Sequence, residues 1–156
     1  MKRRFLLLST HLLTLLLGFG LGVYLLPIIT APDGPAADVL QQAERTASFQ
    51  GEFRRDLADS DALHWGEGRV LVGPDQVVLQ GRLAPGPDYK LYLSPTFVET
   101  EADFKRLKST MLRVGDIKTF ENFAVPLPPG TDLSAFTTVV VWCETFNEFI
   151  TAARYR

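Results

Sequence analysis

Two residues outside the apolar N-terminal segment have side chains suited to redox or ligand chemistry, and each is the only one of its kind there. Cys143 is the single cysteine, and it closes the run Thr-Thr-Val-Val-Val-Trp-Cys at 137–143. His64 is the only histidine beyond His11 and lies in Asp-Ala-Leu-His-Trp-Gly at 61–66. A lone thiol can act as a redox group if a nearby cation, imidazole or helix N-terminus favours its thiolate. With no second cysteine, any disulfide it forms must be intermolecular or mixed. The competing reading is a small buried hydrophobe, because free cysteine is among the most buried residue types. His64 can pair with Cys143, or serve with it as an axial haem ligand. Alternatively it is a loop histidine bonded to backbone. Trp142 and Trp65, next to these two residues in sequence, are candidates to line a flat cofactor site and equally plain core aromatics. The same core reading covers Phe49, Phe53, Tyr89, Tyr92, Phe136 and Phe146.

Other chemistries have less support. Structural zinc wants four thiolate or imidazole ligands, and this part of the chain offers one of each, so no metal site is assigned. Asp56, Asp59 and Asp61 cluster in one loop, as calcium would require, but without EF-hand spacing; an acidic loop of this kind is more simply a solvated one. No nucleophile elbow or paired-carboxylate spacing points to a hydrolase.

The segment before these residues decides where they work. Lys2, Arg3 and Arg4 precede an uncharged apolar run at 5–29, about the length that crosses a bilayer. It ends in Tyr-Leu-Leu-Pro-Ile-Ile, bulky where a signal peptidase needs small residues, so an uncleaved signal anchor is favoured over a cleaved signal peptide. The basic start should stay cytoplasmic, which places the rest of the chain extracytoplasmic at the cell membrane in a single pass. Gly18 and Gly22 have the small-xxx-small spacing of close helix contacts, though helix flexibility is the simpler reading. His11 falls within the span and has no partner spacing. Without the three basic residues, 13 basic groups face 18 acidic ones. That balance argues against nucleic acid as a partner.

The remaining residues suit one domain. Residues 30–47 read as a linker, rich in Pro and Gly, followed by a short surface helix at 36–47. From residue 48 to 156, short segments alternate with turns. Residues 49–53 alternate apolar and polar. Residues 68–73 and 76–79 flank Pro74 and Asp75 as a hairpin, and 90–94 follows another turn. A helix starts at Thr100 with a capping-box-like sequence and carries Phe104, Leu107 and Met111 on one face, with Gly115 ending it or its loop. Strands are expected again at 116–120, 123–127, 137–143 and 150–155. The β-branched run at 137–143 suits a strand buried on both faces. The fold expected is an all-β, sandwich- or barrel-like domain with one or two short helices, behind one transmembrane helix.

The order of several short motifs resembles the DM-thirteen domain. These are Gly-Glu-Phe at 51–53, His-Trp-Gly-Glu-Gly at 64–68, and Gly-Pro-Asp-Tyr-Lys-Leu-Tyr-Leu-Ser at 86–94. They continue with Val-Gly-Asp-Ile-Lys at 114–118, Gly-Thr-Asp at 130–132, and Val-Val-Val-Trp-Cys at 139–143 with Phe146. The resemblance implies a compact β domain for electron transfer whose cysteine, here Cys143, does redox work. It places His64 within a family element. Elsewhere the domain occurs beside haem-binding modules of the DOMON type. No such module accompanies it here, so an electron partner would be another protein, and haem is the cofactor to test. One stretch departs from the family pattern: Thr-Phe-Glu-Asn at 119–122 lacks the usual glycine. The function expected is a membrane-anchored electron-transfer or thiol-redox module acting with a partner protein. The alternative is a non-catalytic binding or adhesion domain with a structural cysteine.

Overall fold

The computed structural model describes residues 2–156. Helix α1 (Lys2–Thr30) is long enough and apolar enough to cross a membrane, and none of its residues is buried. Pro27 lies within its last turn-and-a-half. Helix α2 (Ala37–Thr46) follows. Strands β1 (Phe49–Phe53), β2 (Gly66–Val72), β3 (Gln76–Leu83) and β4 (Tyr89–Ser94) come next, then α3 (Glu101–Leu107). Strands β5 (Leu112–Ile117), β6 (Glu121–Pro126), β7 (Thr138–Cys143) and β8 (Glu148–Arg154) complete the chain.

Two four-stranded antiparallel sheets result, with strand orders β1-β2-β3-β6 and β5-β4-β7-β8. Alternation along each strand sorts the side chains into layers. Val70, Val72, Val77 and Leu79 of the first sheet meet Leu91, Leu93, Val139 and Val141 of the second in one shared cluster. The opposite face of the second sheet presents Tyr92, Val140, Trp142 and Phe149 to Phe104 of α3. On the far face of the first sheet, Leu71 and Val78 are covered by Leu40 and Ala43 of α2. Every residue of β7 is buried, as its unbroken apolar run requires.

Several local expectations change. The helix at 36–47 is more than a surface spacer: Ala43 is buried on the sheet, and Glu44 pairs with Arg69 at 2.7 Å. Few apolar positions suffice because a methyl side chain lets the backbone approach closely. α3 ends at Leu107 and a 3-10 turn covers Lys108–Thr110, so Leu112 to Gly115 are strand instead of helix or loop. The partly buried Leu112 and Val114 pack on the shared core, which favours extended backbone over a further helical turn. β5 stops at Ile117, leaving 118–120 as the connection to β6, and β8 begins two residues earlier than expected, at Glu148.

Candidate functional site

The alternation of β7 settles where its last two side chains go. Trp142 points to α3 and stacks on Phe104, with ring centroids 4.0 Å apart and 9° between planes. Cys143 points the other way, into the end of the shared core. Neighbours in sequence are therefore separated by the sheet.

Cys143 forms part of the wall of an apolar chamber of about 450 Å³. Three further regions complete it. The loop before β2 contributes Leu63 and His64, the turn before β4 contributes Pro85 to Pro87 with Tyr89, and the β7–β8 turn contributes Phe146, Glu148 and Ile150. The C-terminal half of α1 lines the remaining side through Phe19, Gly20, Val23 and Tyr24. The structure thus brings His64 and Cys143 to one chamber. Trp142 and Trp65 lie outside it. Trp65 instead carries the Arg55 guanidinium on its ring face, 3.3 Å from the centroid, and Arg55 is held by Glu67 at 2.7 Å.

Gly86 is required at the chamber wall, because a Cβ there would collide with the Tyr89 ring. Burial pushes the Tyr89 phenol well above its ordinary value, so it stays a hydrogen-bond donor.

Asp61 organises the His64 loop. Its Oδ1 accepts the backbone N–H groups of Leu63 and His64, each at 2.7 Å, and its Oδ2 lies 3.0 Å from His64 Nδ1. The His64 contact, with these N–H groups, holds the carboxyl below its usual range. An ionised carboxylate only accepts hydrogen bonds, so Nδ1 must be the donor and Nε2 is the nitrogen left available. The other acidic residues of this loop go elsewhere: Asp56 pairs with Arg54 at 2.8 Å, and Asp59 accepts the backbone N–H of Glu101. The three carboxylates therefore do not converge as a calcium site would need.

Glu148 stands between the chamber and a more polar cleft lined by Asp61, Glu101 and Lys105. Its carboxyl is pushed up, chiefly by a hydrogen bond to the Glu101 carboxylate and then by burial. Glu101 is held down by Lys105, 2.9 Å away. The two carboxyl groups thus meet at the chamber's edge.

Cys143 is 2% exposed. Burial pushes its thiol up; backbone hydrogen bonding from Phe146 and Asp88 pulls the other way, and the Asp88 carboxylate adds a smaller push upward. The thiol is therefore protonated at neutral pH, the reverse of an activated thiolate. No Lys or Arg lines the chamber, so the propionates of a haem would meet no fixed cation there. Phe146, expected in the core, is 48% exposed at the chamber rim. Its position in a turn after β7, instead of in a strand, accounts for this. Sequence spacing carried no sign of Tyr89, Glu148 or the α1 residues as part of the same wall.

The chain thus presents a two-sheet β domain behind an apolar helix, with a lone thiol and an imidazole on one chamber. The family described as Electron transfer DM13 matches residues 33–155, and the chain belongs to it. No curated protein and no solved structure matches the chain.

Proposed function

We propose that this chain is a membrane-tethered electron-transfer module that acts with a partner protein at the chamber holding Cys143 and His64. The two sheets and the core they share are read as one β-sandwich. α1 is read as an uncleaved anchor, with its basic start in the cytoplasm and the domain outside. The observation that carries the proposal is convergence: the only cysteine and the only histidine beyond α1, far apart in sequence, border one apolar space. Membership of an electron-transfer family supports it. When Cys143 passes one electron to an oxidised acceptor on the partner, its thiol proton leaves with it, and His64 Nε2, left free by the Asp61 contact, is the base available to take it. Thiol–disulfide exchange by a standing thiolate has less support, since burial opposes the charge.

One observation favours a second reading, a non-catalytic binding domain: Cys143 packs in the core like any small apolar residue. Alkylation of Cys143 against pH, on the full chain in detergent, separates the two. The redox reading expects labelling of the folded protein through the chamber, with a midpoint above the ordinary value of about 8.5. Absence of labelling until denaturation would establish the binding domain instead.

A further inference from the structure

We infer that the chamber is a binding site for a membrane-soluble quinone-class ligand: a neutral ring bearing carbonyl oxygens on an apolar tail. This rests on α1 spanning the membrane, as proposed above. About 20 residues cross the hydrocarbon core of a bilayer. Counted from Phe5, they reach Tyr24, so the stretch of α1 at the chamber lies at the outer edge of the span. Tyr24 there matches the preference of tyrosine for the membrane interface. Beyond α1, the large apolar side chains exposed among the described residues are Leu63 and Phe146, 60% and 48% exposed. Both border this chamber. The domain's most exposed large apolar side chains are thus gathered where lipid would meet it.

The wall selects among lipophilic ligands. It contains no Lys or Arg, so a phospholipid phosphate would find no fixed cation. The Tyr89 hydroxyl can donate to a carbonyl oxygen, His64 Nε2 can accept from a ring hydroxyl, and the Glu148 carboxyl borders the same space. An apolar cavity with a few convergent polar groups, of this size, is the usual form of a small-molecule site.

The test uses the full chain in phosphatidylcholine nanodiscs and a decyl benzoquinone whose ring is fully substituted, so that no thiol can add to it. A diazirine on the first tail carbons reports contact. Saturable photolabelling of peptides containing Leu63 and Phe146, competed by the unmodified quinone but not by decyl phosphocholine, is expected. The doubly substituted variant Leu63→Asp/Phe146→Asp alters exposed positions and should keep the fold, checked by its thermal transition, while labelling falls at least tenfold. Equal competition by decyl phosphocholine would overturn the proposal, as would labelling unchanged by the double substitution. The assay needs no electron transfer, so its result stands apart from that of the alkylation experiment.

Discussion

Cys143 sits where two demands conflict: a redox group needs charge and access, and a strand end between core residues supplies neither freely. Replacing it by Ser puts a hydroxyl into an apolar site, at a cost of about 1–3 kcal/mol. Urea midpoints should show that loss, and Cys143→Ala should cost less, because it leaves a void but no unsatisfied polar atom. The sign of the pH effect follows from the raised thiol. The folded state binds the proton more tightly, so this stabilisation is full below the unfolded value of about 8.5. It is lost as the pH rises through the folded value, and Cys143→Ala should flatten that alkaline decline. Glu148 behaves alike at lower pH, since Glu101 and burial raise it. Its favourable contribution is present below about pH 4.3 and fades above. Glu148→Gln should therefore stabilise the protein at pH 7, by less than about 1 kcal/mol because the pair is partly solvated. Stability curves at pH 4 and 7 would show the two proteins converging at the acid end.

Among the elements, α3 illustrates how a short helix is kept in place. The Thr100 side chain accepts the Asp103 N–H at 3.1 Å, and Phe104 is wedged between Tyr92 and Trp142. Thr100→Ala should cost about 1 kcal/mol and Phe104→Ala about 3–5 kcal/mol, read from chemical unfolding. The cap and Phe104 were legible because both are local signals. So was β7, whose Val139 to Val141 run admits no polar face. The end of α3 was not. Leu107 and Met111 continue the helical spacing, yet the pull on Leu112 and Val114 comes from a core assembled by distant strands. For the same reason the sequence singled out Cys143 and His64 but gave no sign that Glu148, Tyr89 and α1 would join them. Sequence neighbours misled as well, since Trp142 and Cys143 occupy opposite faces of one strand.

At the scale of the whole molecule, α1 and the sheets divide the work of placement and of structure. The full chain should float with phosphatidylcholine vesicles in a density gradient, and a chain beginning at residue 33 should stay at the bottom. The β domain itself is held closed at the point where it begins and ends. The rings of Phe49 in β1 and Tyr155 just after β8 lie 5.4 Å apart, and β1 runs beside β8 closely enough that Gly51 has no room for a Cβ against Arg154. The first and last strands therefore lie side by side, although they belong to different sheets. A circular permutant joining residue 155 to residue 49 through a short glycine linker, and opened at Gly130 in the exposed turn, keeps every strand pairing. Where α1 joins the β domain is in that sense a matter of wiring, separable from the architecture of the two sheets.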